Sequence, residues 1–318
     1  MLNLRYHVVS LVAVFLALGI GVIMGVTVIN RGIADQLRNR LDSVEASDRK
    51  TRKENDRLSA QLGTWNRFVD QGRPELLAGQ LRNVPVLLVG VDGIDRKPVA
   101  DLRTDLVTAG ANVEGTLWLN DKLNLKNQAE ASALAAALGM PDATPDVARA
   151  TALSRLATVL QGAGDPGGLI PALRQAGFVD YEAPPGPTST STSSPTTTVG
   201  PGTMPLSGTR SVIVSGAGAR LDDDTMTMPF VTQLALSGAP VVAAEAGQDT
   251  QGGRGLFVGL VRGRPETADR VSTVDNLESF IGQAATVLAT RDVGRQPAGQ
   301  YGVGPGAQRL LPETPPAP

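Results

Sequence analysis

Residues 86–91 read Val-Leu-Leu-Val-Gly-Val, an uninterrupted apolar run that is typical of a strand buried on both faces of a sheet. Residues 99–109 then show the apolar spacing of a helix that ends at a glycine, and residues 113–119 predict the next strand. Further strands are predicted at 178–181, 211–215, 240–244 and 272–275, with helical stretches between and after them. Strands that alternate with helices in this way indicate a parallel sheet.

We therefore predict an α/β fold, a doubly wound and mostly parallel sheet of five or six strands with helices on both faces. Residues 184–205 interrupt it, because they are rich in Pro, Ser and Thr and predict a disordered linker or loop. The domain would span 84–303, with a Pro-rich tail over 304–318. Two half-domains on either side of the insert are the alternative.

An apolar, uncharged run near the N-terminus predicts a membrane anchor over residues 1–32. Val8–Ile29 gives 22 residues without a charge, enough for a helix that spans a bilayer. A cleaved signal peptide is the alternative, but its apolar part is usually shorter and ends at small residues, whereas this run ends in Thr-Val-Ile-Asn-Arg. We predict an uncleaved, single-pass anchor in the cell membrane.

Charge alone leaves the orientation of this span open. Arg5 and the α-amine precede it, while Arg31, Arg38 and Arg40 follow it, and long C-terminal domains can be translocated regardless of such charges. Ser/Thr/Pro tracts such as 184–205 are typical O-glycan acceptors outside the cell. The tract therefore favours an extracytoplasmic C-terminal body.

Residues 33–72 predict a coiled-coil stalk. Apolar residues recur at alternating spacings of four and three, which defines a seam with a polar middle at Asp48, Thr51 and Asn55. The seam residues that we expect to mediate pairing are Leu37, Leu41, Val44, Asn55, Leu58, Leu62 and Trp65. A buried Asn fixes register and favours two strands, so a parallel homodimer is predicted. A solvated helix folding back on its own domain is the alternative, and Gly72-Arg73-Pro74 predicts the helix end.

Composition excludes several functions. The chain has 318 residues, 29 Lys and Arg against 31 Asp and Glu, and a net charge of −2, so no nucleic-acid partner is expected. It has no cysteine, and its one histidine is His7. Disulfides, thiolate metal sites and a Ser-His-Asp relay are thereby excluded. We predict no catalytic residues, no cofactor and no metal ligands.

A glycine-rich turn follows the strand at 211–215. Gly216-Ala-Gly218 begins like a dinucleotide-binding fingerprint, but Leu221 stands where the third glycine belongs. Glycine-rich turns follow strands in most α/β folds, so a nucleotide is the less favoured interpretation.

Two short runs after this turn have both a metal-binding and a structural interpretation. Asp222-Asp223-Asp224 offers three carboxylates, but adjacent side chains cannot all face one ion, and an Asp before a helix is the expected cap. Met226 and Met228 offer soft sulfur to Cu(I), yet they do not face each other on a helix. We predict capping for the first run and packing for the second.

Residues 272–276 end a strand and begin a helix, which is where open α/β sheets bind ligands. We take Ser272, Thr273, Asp275, Asn276 and Tyr301 as a recognition surface or as structural residues, because no His or Lys lies nearby to act as a base. Asp275 or Asn276 also suits the N-cap of the following helix.

Four segments together resemble one actinobacterial family. They are the apolar opening Leu4–Leu18 with Gly21 and Gly25, the stalk, Val-Ser-Thr-Val-Asp-Asn at 271–276, and Tyr-Gly-Val-Gly-Pro-Gly-Ala at 301–307. In this combination and order they resemble the mycobacterial copper transport protein B (MctB) family, also described as SteB-like. A histidine often precedes the Tyr-Gly pair in that family, and this chain has Gln300 there.

The resemblance implies either copper efflux or homeostasis at the envelope, or a membrane-anchored partner of a cytoplasmic SteA-like protein in envelope biogenesis or division. Residue chemistry offers few ligands for copper. The interpretation that we favour is an anchored, dimeric envelope scaffold or adaptor without enzymatic activity. Copper transport is the alternative, and an enzyme such as a nucleotide-dependent transferase comes third.

Overall fold

The computed structural model describes residues 4–165, 167–184, 208–247 and 256–313. Two compact units divide the chain, one up to Asp70 and the other from Gln71 onward. The α-helices and strands of the described residues are α1 (Leu4–Leu77), β1 (Pro85–Val91), α2 (Arg96–Thr108), β2 (Asn112–Leu119), α3 (Gln128–Ala137), α4 (Pro145–Thr158), α5 (Leu169–Gln175), β3 (Val179–Glu182), β4 (Arg210–Gly216), α6 (Met228–Leu236), β5 (Val241–Ala246), α7 (Leu256–Gly263), α8 (Pro265–Ala268), β6 (Ser272–Val274), α9 (Phe280–Asp292) and β7 (Gln300–Tyr301).

The described strands form one seven-stranded sheet in the order β3-β2-β1-β4-β5-β6-β7. Neighbouring strands are parallel except for β3, which is antiparallel to β2 at one edge. The predicted mostly parallel α/β sheet is confirmed. Strands from both sides of the Ser/Thr/Pro tract lie side by side, since β1 pairs with β4, so the two halves share one sheet.

Successive side chains of each strand point to opposite faces of the sheet, and both sets are buried. Helices therefore cover both faces. On β1, Leu87 and Val89 pack with the cluster that contains α3 to α7. Val86 and Leu88 point to the other face, where the cluster contains α2, α9 and Leu77 at the end of α1.

Helix α1 contains one segment, Tyr6–Gly25, that is long and apolar enough to cross a membrane, with a mean hydropathy of 2.7. None of that segment is buried. It overlaps the predicted span, Val8–Ile29, and an N-terminal apolar helix is thereby confirmed.

The helix end predicted at Gly72-Arg73-Pro74 is wrong. Helix α1 runs through Pro74 to Leu77, and the N–H of Ala78 still donates to the Pro74 carbonyl at 2.8 Å. Pro74 cannot donate a backbone hydrogen bond, which weakens the helix at this point. Leu77 and the nearby Leu81, however, are fully buried in the core, and this burial offsets the loss. Their packing retains the last turn.

Three short elements, namely α7, α8 and β7, were not predicted from the sequence. Residues 308 and 313 form hydrogen bonds with the body. The N–H of Gln308 donates to the Gln300 carbonyl at 2.7 Å, and Arg291 Nη2 donates to the Glu313 carbonyl at 3.0 Å. Apart from its first residue, the predicted linker 184–205 lies outside the described residues.

Candidate functional site

The crevice between the carboxyl ends of β1 and β4, where the strand order reverses, is where doubly wound sheets usually hold a ligand. Here the chain's own loops meet across it. The N–H of Arg220 donates to the Asp92 carbonyl at 2.8 Å, and their side chains form an ion pair at 3.5 Å. A Cβ atom at Gly218 would lie only 2.8 Å from the Gly93 carbonyl oxygen, and one at Gly93 would overlap the Gly218 carbonyl oxygen. The second glycine of the turn thus allows two loops to touch.

Gly216 has a similar packing role at the end of β4. Its φ of 144° is a conformation that other residues rarely adopt, and a Cβ there would overlap the carbonyl oxygen of Ala246 on β5. The glycines that resemble a dinucleotide fingerprint are therefore explained by close backbone approach within the sheet and its loops.

The three consecutive aspartates after this turn have three different partners. Asp222 caps the following helical turn and accepts from the N–H of Thr225 at 2.8 Å; this hydrogen bond lowers the pKa of Asp222. Asp223 accepts from Ser215 Oγ at 2.8 Å, and burial raises its pKa. Asp224 is exposed and pairs with Arg264 at 2.9 Å. The predicted cap is confirmed for Asp222.

The two methionines of the next helical turn are core residues. Met226 and Met228 are almost fully buried in the cluster that contains α4 and α6. Packing, as predicted, accounts for both side chains.

At the other end of the sheet, Asp275 and Arg262 form a buried ion pair that holds the chain's last loop. Arg262 Nη1 donates to Asp275 Oδ2 at 3.0 Å, and each side chain is only 8% exposed. The carboxylate also accepts from the N–H groups of Val303 at 2.6 Å and Gly304 at 3.1 Å. A Cβ at Gly302, whose φ is 124°, would overlap Asp275 Oδ1.

The guanidinium of Arg262 has further partners in the same place. Nε donates to Thr273 Oγ1 at 2.8 Å, Nη2 to the Tyr301 carbonyl at 2.7 Å and Nη1 to the Pro305 carbonyl at 2.8 Å. Thr273 Oγ1 in turn donates to Gln300, which links β6 to β7. Every charge in this cluster is satisfied by groups of the chain itself, which is the condition for burying it.

The structure therefore brings the predicted recognition residues together, but mostly in the interior. Ser272, Thr273, Asp275 and Asn276 are buried, and Tyr301 is half-buried. Burial raises the pKa of the Tyr301 hydroxyl.

The N-cap of α9 is Ser279 rather than Asp275 or Asn276. Asn276 takes a positive φ of 56° before it, and its side-chain amide lies 2.8 Å from Ser279 Oγ. The surface at this edge of the sheet is formed by the loop that Asp275 holds, where Val303 is exposed.

A second ion pair, between a half-buried arginine and a fully buried carboxylate, lies at the end of α1, and it was not predicted from the sequence. Arg73 Nη1 donates to Asp105 Oδ1 at 2.9 Å and to Gln283 Oε1 at 3.0 Å, and its guanidinium lies 4.7 Å from the ring centre of Phe280. Asp105 is fully buried, and burial raises its pKa while Arg73 lowers it. One arginine thus ties the last turn of α1 to α2 and α9.

The predicted seam lies on α1. Leu41, Val44, Leu58, Leu62 and Trp65 expose between 44% and 63% of their surface, and Asn55 is also exposed. The side chain of Leu37 is outside the described residues.

Comparison with known proteins gives a consistent result along the whole chain. The family described as "Copper transport outer membrane protein, MctB" matches residues 1–312. Copper transporter MctB of Mycobacterium tuberculosis (strain ATCC 25618 / H37Rv) is 25% identical over 332 residues, which cover 98% of this chain and 99% of that protein. Copper transporter MctB of Mycobacterium leprae (strain TN) is 24% identical over 327 residues, with the same coverage. The match extends from the apolar segment of α1 to the loop held by Asp275, and this chain belongs to the MctB family.

Proposed function

We propose that this protein is a single-pass, membrane-anchored scaffold or adaptor of the cell envelope. In this proposal it pairs with a second copy of itself through α1, and its α/β body binds another envelope component. Such a role requires an anchor and interaction surfaces, and it requires no catalytic group.

The observation that carries the proposal is the uncovered apolar seam on α1. Exposed Leu, Val and Trp side chains recur there at the spacing of a coiled coil, and proteins rarely leave such a stripe without a partner. Asn55, in the middle of the seam, has the polar character that favours two strands in register at some cost in stability.

Site-specific cross-linking tests the pairing directly, because the chain contains no cysteine of its own. We expect Leu58→Cys in the intact membrane protein to give a disulfide-linked dimer on mild oxidation. Ala60→Cys is the matched control, since residue 60 lies on the outer face, where two cysteines would be farther apart than the ~7 Å that a disulfide allows. If both variants cross-link equally, or if neither does, the prediction that two copies pair through the seam is contradicted.

The body is placed outside the cytoplasm in this proposal, because residues 184–205 are typical of an O-glycosylated tract. We expect alkaline phosphatase fused to the C-terminus to be active and a reporter that works only in the cytoplasm to be inactive. The reverse pattern would place the body in the cytoplasm.

The partner of the body is proposed to be an envelope protein or a SteA-like protein, as the family resemblance suggests. Affinity capture of the intact membrane protein, followed by identification of the retained proteins, tests this part. A scaffold predicts that its localisation changes when the captured partner is deleted.

Copper handling is the second candidate function, and the names of the family and of its curated relatives favour it. Cu(I) prefers clustered Cys, His and Met ligands. Met226 and Met228 are buried in the core, and among the described residues no group of three or more His, Cys, Asp or Glu side chains is placed to hold a metal ion.

We therefore expect the purified intact protein to take up less than one equivalent of Cu(I) in competition with a strong chelator. Met226→Leu combined with Met228→Leu should not change that uptake. Binding of a full equivalent that the double variant abolishes would establish the copper function instead of the scaffold.

A further inference from the structure

The polar residues in the middle of the seam bear on how two paired helices are aligned, and not only on whether they pair. One core position of the repeat reads Leu41, Asp48, Asn55 and Leu62 along α1. Two consecutive polar residues are thus flanked by a leucine on either side. An arrangement of this kind distinguishes one alignment of two helices from its neighbours, because a slip places polar side chains against apolar ones.

Asp48 already has a cation on its own helix. Arg52 Nη2 lies 2.9 Å from Asp48 Oδ2, one helical turn away. Two paired helices would therefore bring two carboxylates and two guanidinium groups to the same level, and this layer has no net charge.

The charges beside the seam suit two copies of the chain that run parallel and in register. In such a pair, each residue on one flank faces the residue five positions later on the other helix. Arg40 then faces Glu45, which is an attractive pair. The remaining pairs in the stalk are Ile33 with Arg38, Ser47 with Arg52, Glu54 with Ser59 and Gln61 with Asn66, and none of them has like charges.

Parallel orientation also follows from the continuity of α1. The apolar segment Tyr6–Gly25 and the seam belong to one helix, Leu4–Leu77. Two copies whose spans cross the same membrane in the same direction therefore present their seams in the same direction. A slip of one heptad would oppose Leu41 to Asp48 and Asn55 to Leu62.

We infer that the occupant of this face is a second copy of the chain, aligned parallel and in register, and that the Asp48–Arg52 pair acts with Asn55 to fix the register. This inference rests on the proposed pairing through α1 and adds the alignment and the residues that set it. Loss of Asp48 should leave the helices paired but free to slip.

The test uses the intact chain in its membrane, with two differently tagged copies expressed together. One carries Leu62→Cys and the other Val69→Cys, which occupy the same core position one heptad apart. We expect disulfides between identical positions and almost none between 62 and 69, which are offset by about 10 Å along the helix. Adding Asp48→Leu to both copies should raise the mixed 62–69 product at least fivefold, whereas Asp56→Leu, an exposed acid outside the seam, should leave it unchanged.

The outcomes separate the two proposals. Absence of any disulfide at residue 62 overturns the pairing itself, and the inference with it. If the mixed 62–69 product is as abundant as the identical-position products in chains that retain Asp48, the inferred register is overturned but the pairing is not. A mixed product that Asp48→Leu does not raise overturns the role of Asp48.

Discussion

Replacing Asp275 by alanine is expected to lower the free energy of unfolding of the α/β body by about 3–5 kcal/mol. The substitution leaves the guanidinium of Arg262 buried without its counter-charge and removes the acceptor of two backbone N–H groups, those of Val303 and Gly304. Thermal unfolding of the intact protein in detergent measures the effect. For a body of this size the melting temperature should fall by roughly 6–20 °C.

Asp224→Ala is the control for this experiment. Asp224 also pairs with an arginine, Arg264, at 2.9 Å, but both side chains are exposed. Exposed pairs of this kind contribute about 0–1 kcal/mol, so its melting temperature should stay within roughly 4 °C of that of the original chain. Equal shifts for the two variants would show that the burial of the Asp275 pair has no special energetic role.

Arg73→Met is expected to cost about 3 kcal/mol of stability, because it leaves Asp105 fully buried without its cation. The methionine retains most of the apolar length of the arginine, so the loss reflects the charge and the hydrogen bonds to Asp105 and Gln283 rather than a cavity. Chemical denaturation followed by circular dichroism measures the difference.

The loss caused by Arg73→Met should depend on pH in a defined direction. Burial raises the pKa of Asp105 and the attraction of Arg73 lowers it, so removing Arg73 raises that pKa further. A carboxyl whose pKa is higher in the folded than in the unfolded chain destabilises the folded state increasingly as the pH rises through the folded pKa. We therefore expect a larger deficit at pH 8 than at pH 5.

Two further variants serve as controls for the Arg73→Met experiment. Lys97→Met removes an exposed cation that pairs with Asp101 on α2, the helix that also carries Asp105, and it should have little effect at either pH. Arg73→Met combined with Asp105→Leu removes both charges of the pair, including the buried carboxylate, and should recover most of the lost stability. A deficit that persists unchanged in the double variant would point to packing instead of charge.

The strands and most helices of the body could be predicted because their patterns are local. The apolar run at 86–91 and the helix that follows it depend on neighbours in sequence, and the structure has both. The two-residue strand β7 has no pattern of its own; it exists because Gln300 and Tyr301 pair with β6. The persistence of α1 through Pro74 likewise depends on tertiary packing.

The cluster around Asp275 could be predicted only in part, for a related reason. Asp275 and Tyr301 were predicted as recognition or structural residues from two separate motifs. Arg262, however, lies in α7, a helix that the sequence patterns did not predict. The spacing of Gly302, Gly304 and Gly306 was the available signal, since glycines repeated in a loop indicate close approach to another group. At Gly302 that group is the Asp275 carboxylate.

The dependence of Asp275 on residues 303 and 304 also has a consequence for biosynthesis. A nascent chain presents β6 before it presents the two backbone donors that Asp275 requires, so this end of the sheet matures last. A product interrupted before residue 303 would hold an incompletely satisfied carboxylate beside an open sheet edge. Proteases would then encounter a loosened C-terminal region in truncated chains and a closed one in chains that have reached this loop.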